Sequence, residues 1–146
     1  MSNPIFVYSD DLLKYRFNDD HPFNQLRLKI TYDLLKKSNA LSNEHIVKPR
    51  IATDEELCLI HDVSYVHAVK QASIGALVEE QASNFGLGTE DTPIFDGMHE
   101  ASALLVGGTL TAVDYVMQGK AEHALHLGGG LHHSFRGKAS GFCIYN

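Results

Sequence analysis

The residues best suited to chemistry lie near the end of the sequence, in the stretch Leu127–Asn146, which reads LGGGLHHSFRGKASGFCIYN. Three glycines at positions 128–130 precede the adjacent imidazoles of His132 and His133. Glycine lets a backbone turn sharply and approach a ligand closely. Neighbouring side chains of a strand point to opposite faces, whereas an irregular loop turns both imidazoles into one pocket. Because histidine titrates near neutral pH, the loop predicts acid–base chemistry, with a mobile surface loop as the alternative.

Other loop chemistries fit this stretch less well. A phosphate-binding P-loop requires Ser or Thr after its Gly-Lys pair, but Ala139 follows Gly137 and Lys138. The dinucleotide fingerprint fails because His133 stands where its last glycine is needed. Ser140 lies in GKASG and not in the GxSxG of a nucleophile elbow. Metal-assisted hydrolysis, with the metal held from outside the chain, is the chemical class that these exclusions favour.

The whole string closely resembles the motif of the histone deacetylase superfamily, in which GG(L)HH is followed by ASGFC and a Tyr-Asn pair. Two upstream blocks are similar to the same family: HPFNQLR at His21–Arg27 and GTEDTPIFDG at Gly88–Gly97. These upstream blocks look most like the bacterial acetoin-utilisation branch. The resemblance implies that residues 1–146 are the N-terminal part of a single deacetylase domain.

By this resemblance, the complete enzyme is a zinc-dependent amidohydrolase that removes acetyl or related acyl groups from lysine side chains. His132 and His133 are the implied catalytic residues, with His133 as general base and then general acid and His132 as its electrostatic partner. Gly141 and Phe142 are implied to form one wall of the tunnel that holds the lysine methylenes. Asp91, on the rim, is implied to accept hydrogen bonds from the substrate backbone; without the resemblance it would be a turn-capping carboxylate.

The resemblance places two further residues at the bottom of the site. Arg27 is implied to line an internal channel associated with acetate release, although the residue alone would be interpreted as a solvent-facing arginine. Cys143 is implied to lie near the tunnel floor. The family's zinc ligands, an Asp-x-His and a later Asp, and its catalytic Tyr lie beyond Asn146, so no metal ligand is expected within the chain. The 146 residues alone are therefore predicted to be inactive and to bind no zinc tightly.

Two other functions stay open. One is a zinc amidohydrolase of the same superfamily that acts on acetylpolyamines or small amides. The other is a binding module that holds an acylated lysine without hydrolysing it. The expected partner is an acetylated protein or a small acetylated amine. A homo-oligomer, or completion of the sheet by another chain, is also expected because the sheet would keep an unpaired edge.

Composition limits the choice of function. A chain of 146 residues is long enough to bury one core. The 12 basic and 18 acidic residues give a net charge of −6, which argues against nucleic acid as a partner. Cys58 and Cys143 lack a CxxC spacing and are expected to be free thiols. The N-terminus has no basic region and no long apolar run, which predicts no signal peptide, no membrane partner and a cytoplasmic location.

The elements that position the loop follow from periodicity. Strands are predicted over residues 4–9, 46–51 and 121–127, and helices over about 22–38, 53–60, 64–72 and 98–117. This alternation indicates an α/β fold with three layers, in which a mainly parallel sheet is flanked by helices, arginase/deacetylase-like by resemblance. Ligands of such sheets bind beyond the carboxyl ends of the strands, where HPFNQLR and GGGLHHS fall.

Several residues are assigned structural roles. The spacing of four apolar residues predicts the buried face of the first helix: Phe23, Leu26, Ile30 and Leu34. Thr53 and Glu56 have the spacing of a capping box. His61 is interpreted as part of a corner between helices, and His67 as a half-buried packing residue.

Overall fold

The structure, a computed structural model, describes residues 3–146. Its sheet consists of three parallel strands, β1 (Pro4–Val7), β2 (Ile46–Val47) and β3 (His123–Leu125), in the order β2-β1-β3. In the register, Phe6 pairs with Ile46 and Ile5 pairs with Ala124. Because the strands run the same way, the segments that follow them meet at one end of the molecule.

The described residues also form five α-helices: α1 (Leu26–Lys37), α2 (Asp54–Leu57), α3 (Val63–Ser73), α4 (Glu79–Asn84) and α5 (Met98–Met117). A 3₁₀ turn at Asp10–Lys14 follows β1, and a second at Asn43–His45 precedes β2. Within residues 3–146, no helix combines the length and the apolar character needed to cross a lipid bilayer.

The two faces of β1 pack against different helices. Tyr8, directly after the strand, stacks on Tyr32 of α1 with ring centroids 4.1 Å apart. Val7 lies in a separate apolar cluster with Ala112 and Tyr115 of α5. The parallel sheet is therefore flanked by helices, as the alternation of strands and helices predicts.

Helix α5 has the bounds that the sequence predicts, and its two central glycines allow close contacts. A Cβ on Gly107 would lie 1.9 Å from the carbonyl oxygen of Arg50, in the segment after β2. A Cβ on Gly108 would lie 2.1 Å from Cε1 of His126, in the segment after β3. Packing therefore requires glycine at both positions.

The prediction for α1 is wrong in two respects. The helix begins at Leu26, whereas Pro22 precedes it in an irregular segment. Three residues of the predicted buried face are more than half exposed: Leu26, Ile30 and Leu34. The helix instead buries Leu28 and packs through Tyr32 and Leu35. Apolar residues occur on more than one face of α1, so periodicity alone does not identify the face that a neighbour covers.

The three strands and α2 lie at their predicted positions with shorter bounds, whereas α3 extends one residue beyond its predicted range at each end. The capping box of α2 is confirmed, because Thr53 Oγ1 accepts from the N–H of Glu56 while the Glu56 carboxylate accepts from the N–H of Thr53. Helix α4 lies outside the four helical ranges that the sequence predicts. His61 is buried at the corner between α2 and α3, as predicted. His67 is exposed on α3, so its predicted half-burial is wrong.

Candidate active site

The chain after β3 runs out along one segment and returns beside it. We call the outgoing segment, Gly128–His133, the histidine arm and the returning segment, Gly141–Asn146, the anchored arm. The arms meet at Gly141, where an added Cβ would lie 2.7 Å from the Cβ of His133. Gly141 also has a φ of +54°, a value that residues with a Cβ rarely adopt. The close approach of the arms therefore depends on glycine at this position.

The two predicted catalytic imidazoles lie side by side on the histidine arm. The rings of His132 and His133 are 4.2 Å apart between centroids and inclined by 37°. Nδ1 of His132 donates to the carbonyl oxygen of Gly130 at 2.7 Å. This hydrogen bond uses Nδ1 and does not involve Nε2. Both side chains are exposed in this chain. An irregular loop thus brings the pair to one surface that water reaches.

A third histidine supports the histidine arm from the side of α5. A Cβ on Gly128 would lie 3.1 Å from Nε2 of His126, and a Cβ on Gly129 would lie 2.4 Å from Oγ1 of Thr109. Burial lowers the pKa of His126, because desolvation disfavours the charged ring. The ring is therefore neutral at pH 7 and acts as a packing group between α5 and the arm. Gly128 and Gly129 provide the space for this contact.

Two buried tyrosines hold the main chain of the anchored arm. Oη of Tyr15 donates to the carbonyl oxygen of Phe142 at 2.6 Å and accepts from the N–H of Ile144 at 3.2 Å. Oη of Tyr65 donates to the carbonyl oxygen of Ile144 at 2.6 Å. Burial raises the pKa of both phenols far above the usual range, so both stay protonated donors. These bonds offset the positive φ of Phe142, +67°, which is uncommon for a residue with a Cβ.

Two histidines from outside the loop bind the end of the anchored arm. Nε2 of His61 accepts from the N–H of Asn146 at 3.1 Å. Nδ1 of His99 lies 2.9 Å from Oη of Tyr145, within hydrogen-bond distance. Desolvation lowers the pKa of both histidines, so their neutral forms are favoured. The sequence assigns His61 only to a helix corner, and it assigns no role to His99.

The HPFNQLR block supplies rings that support Phe142. The ring of His21 meets that of Phe142 edge to face at 4.8 Å, and the ring of Phe23 lies 6.1 Å away. Nδ1 of His21 accepts from the N–H of Phe23 at 3.0 Å. Its Nε2 therefore carries the proton and donates to the carbonyl oxygen of Asp91 at 3.1 Å. His21 thus connects the predicted tunnel wall to the predicted rim.

The three remaining predicted residues differ in burial. Asp91 is exposed and lines a cleft of about 450 Å³ together with Lys138. Cys143 is 2% exposed, and its Sγ donates to the carbonyl oxygen of Gly141 at 3.4 Å. Arg27 is exposed on α1, where its guanidinium lies 5.2 Å from the ring centroid of Phe23. The channel role of Arg27 stays a prediction.

The structure therefore brings His132, His133, Gly141 and Cys143 together on the two arms. It connects Asp91 to Phe142 through His21, and Arg27 to Phe142 through Phe23. Sequence reasoning missed the supporting residues, because none of them lies in the glycine-rich loop. Tyr15 carries the clearest available signal, since it and Phe17 interrupt a segment rich in charged residues and aromatic side chains bury a large apolar area.

Among the described residues, the side chains do not form a zinc site by themselves. Within residues 3–146, no three side chains of His, Cys, Asp or Glu come close enough together to hold a metal ion. A catalytic zinc needs about three protein ligands and an open position. His132 and His133 supply two imidazoles at most.

Known proteins are similar to this chain over almost its whole length. The sequence profile described as the histone deacetylase domain matches residues 21–146. The acetoin utilization protein AcuC of Bacillus subtilis (strain 168) is 59% identical over 146 residues, which is 100% of this chain and 38% of that protein. The AcuC of Staphylococcus aureus (strain MRSA252) is 57% identical over 146 residues, again 38% of its length.

Solved structures resemble the fold as well. A crystal structure of an HDAC homolog from Aquifex aeolicus superposes with a TM-score of 0.87 at 27% identity, covering 99% of this chain and 38% of that chain. An HDAC homolog in complex with SAHA gives the same values. The chain thus spans about two fifths of the length of these relatives. Because the family match includes all three blocks with the predicted site residues, this chain belongs to the histone deacetylase domain family.

Proposed function

We propose that the protein containing this chain is a zinc-dependent deacetylase that removes acetyl groups from the lysine side chains of proteins. The observation that carries the proposal is the adjacent, exposed pair His132 and His133, held against Gly141 at the carboxyl end of a parallel sheet. Ligands of such sheets bind at this end. The family match and the SAHA complex of one structural neighbour support an acylated substrate.

In this proposal His133 moves the protons of the reaction. As general base it takes a proton from the attacking water, and as general acid it gives a proton to the leaving ε-amine of lysine. His132 supplies electrostatic stabilisation, with its Nδ1 proton held by the carbonyl oxygen of Gly130. The ring of Phe142 provides an apolar surface for the lysine methylenes. The exposed carboxylate of Asp91 accepts hydrogen bonds from the backbone of the substrate.

Zinc belongs to the complete protein in this proposal, because the part of the chain that the structure describes supplies too few ligands. We place its ligands in the polypeptide that the longer relatives carry outside the matched region. When bound, zinc polarises the amide carbonyl and lowers the pKa of its water. The 146 residues alone are accordingly expected to show neither tight zinc binding nor turnover.

The test compares the full-length protein with residues 1–146. Bound zinc is measured by atomic absorption, and hydrolysis is measured on an acetyl-lysine peptide and on an acetylpolyamine. We expect zinc and peptide hydrolysis in the full-length protein, and neither in the isolated chain. A preference for acetylpolyamine would instead support a small-amide hydrolase. Zinc-free binding of the acetylated peptide without turnover would support a binding module. Stoichiometric zinc with turnover in residues 1–146 would contradict the ligand placement.

The isolated chain has a further expected property, self-association. Strand β3 forms one edge of the sheet, and no second neighbour pairs with it among the described residues. Unpaired edges are templates for another strand. Sedimentation velocity of residues 1–146 is expected to show oligomers, whereas a monomer at all concentrations would contradict this expectation.

A further inference from the structure

The residue that follows His133 is held by one carboxamide. The N–H of Ser134 donates to Oδ1 of Asn146 at 3.1 Å, and Nδ2 of Asn146 donates to the carbonyl oxygen of Ser134 at 2.8 Å. Both bonds act on the main chain, so they fix the peptide planes on either side of Ser134. One of these planes contains the carbonyl group of His133. The carboxamide therefore restricts the backbone torsion that orients His133.

Asn146 is held in turn by a buried ring. The N–H of Asn146 donates to Nε2 of His61 at 3.1 Å. Nδ1 of the same ring donates to the carbonyl oxygen of Phe135 at 3.2 Å. His61 is 1% exposed, and its ring packs beside those of Tyr65 and Tyr145, with centroids 5.4 and 5.3 Å away. One neutral tautomer, with the proton on Nδ1, satisfies both hydrogen bonds.

The corner between α2 and α3 that carries His61 contacts the segment between the two arms at a second point. The N–H of Asp62 donates to the carbonyl oxygen of Arg136 at 2.9 Å. The guanidinium of Arg136 lies 3.0 Å from the Asp62 carboxylate. The segment between the two arms is therefore fixed to the start of α3 and cannot shift independently of His61.

We propose that Asn146 and His61 are positioning residues for His133. Asn146 holds the main chain directly after His133 through its two hydrogen bonds with Ser134. His61 holds Asn146 and the turn that follows Ser134 in a fixed relative position. The inference rests on the proposed function, in which His133 transfers the protons. A proton donor must lie within hydrogen-bond reach of the reacting group, and a displacement of about 1 Å costs about 100-fold in rate.

The kinetic test uses the full-length protein with Asn146→Asp, Asn146→Ala and His61→Asn. Aspartate keeps the shape of the side chain but loses the donor to Ser134, and asparagine at position 61 loses the acceptor for the N–H of residue 146. We expect kcat on acetyl-lysine peptide to fall about 10- to 100-fold with KM unchanged, as for residues that orient a catalytic group. The matched controls are Asn84→Asp and His67→Asn, at exposed positions on α4 and α3, and both should leave kcat unchanged.

A second measurement does not depend on turnover. By NMR, Asn146→Asp should speed hydrogen exchange of the Ser134 amide and shift the ring resonances of His133, whereas Asn84→Asp should do neither. If the wild-type protein hydrolyses no acetylated substrate, the proposed function fails, and the clamp is judged by this measurement alone. Unchanged hydrogen exchange of the Ser134 amide, or a raised KM with an unchanged kcat, would overturn the inference. Circular dichroism identifies a variant that fails to fold. In that case the inference is judged from the kinetics and NMR of Asn146→Asp, because this position is exposed and the substitution keeps the shape of the side chain.

Discussion

The histidine arm and the anchored arm lie side by side but are held by different means. The histidine arm exposes both of its imidazoles and relies on glycine contacts with α5. The anchored arm buries Cys143, Ile144 and Tyr145 almost completely, and side chains from distant segments bind its main chain. The two candidate catalytic imidazoles therefore stand on a lightly held segment, beside a neighbour that is buried and bound by several hydrogen bonds.

This difference separates activity from stability. Exposed side chains contribute little to the free energy of unfolding, whereas a buried hydrogen bond that loses one partner leaves an unsatisfied group. Changes in the histidine arm should therefore lower activity without unfolding the protein. Changes around the anchored arm should lower both. Variants of the full-length protein can test this separation between activity and stability.

Replacing the proposed general base should give the largest effect. For His133→Ala we expect kcat on acetyl-lysine peptide to fall about 10²- to 10⁴-fold, the usual contribution of a general base. The free energy of unfolding should change by less than about 0.5 kcal/mol, because the side chain is exposed. Steady-state kinetics and chemical denaturation measure both quantities. Near-normal turnover in the single alanine variants at positions 132 and 133 would show that the assigned roles are wrong.

The contact between the arms is tested by Gly141→Ala. The positive φ alone should cost about 1–2 kcal/mol of stability. The added Cβ must also displace His133, which it would meet at 2.7 Å, so kcat should fall as well. Gly75→Ala is the matched control, because its φ is +69° and nothing lies within 4 Å of the added Cβ. Equal effects of the two variants on kcat would mean that the contact with His133 is unimportant.

The tyrosine anchor is tested by Tyr15→Phe. The change removes both hydrogen bonds of Oη and leaves the buried groups of Phe142 and Ile144 unpaired, which should cost about 1–3 kcal/mol of stability. Tyr32→Phe serves as the control, since its hydroxyl makes no hydrogen bond among residues 3–146 and its ring stacks on Tyr8. Thermal unfolding of both variants measures the difference. A Tm equal to that of Tyr32→Phe would argue against anchoring by Tyr15.

The predicted role of Asp91 at the rim of the active site is tested by Asp91→Ala. We expect a smaller effect on kcat/KM, which differs between substrates. Loss of a charged acceptor should lower kcat/KM for an acetyl-lysine peptide by about tenfold, in line with about 1.5 kcal/mol for such a hydrogen bond. A small acetylated amine has no peptide backbone and should be affected less. Glu90→Ala, at the exposed neighbouring position, is the control. Equal losses on the two substrates would indicate that Asp91 caps the turn instead.

The smallest effect concerns pH. Burial lowers the pKa of His61 below its ordinary value of 6.5, so the folded protein favours the neutral ring. Below that value the unfolded chain binds more protons, and stability should fall as pH falls from 6.5 toward the lowered pKa. His61→Asn should therefore flatten the slope of the unfolding free energy at pH values below 6.5. An identical slope in both proteins would show that His61 does not contribute.

Local patterns predict much of this fold. The helix Met98–Met117 has its predicted bounds because a long apolar pattern and the preceding Gly97 act over adjacent residues. The capping box at Thr53 is likewise a contact over three positions. The strands are shorter than predicted, since pairing with a neighbour determines where a strand ends. The exposed face of α1 was not predictable from its apolar spacing, because the packing partner decides which face is buried.

Short sequence blocks are enough to propose the site residues, because the imidazoles at 132 and 133, the glycines around them and the carboxylate of Asp91 all lie in such blocks. The contacts that hold these residues in place became visible only in the folded chain. Tyr15 reaches a main-chain group 127 positions away, and His61 reaches one 85 positions away. Such bonds leave no periodicity or spacing in the sequence, because the folding of the intervening chain brings their partners together.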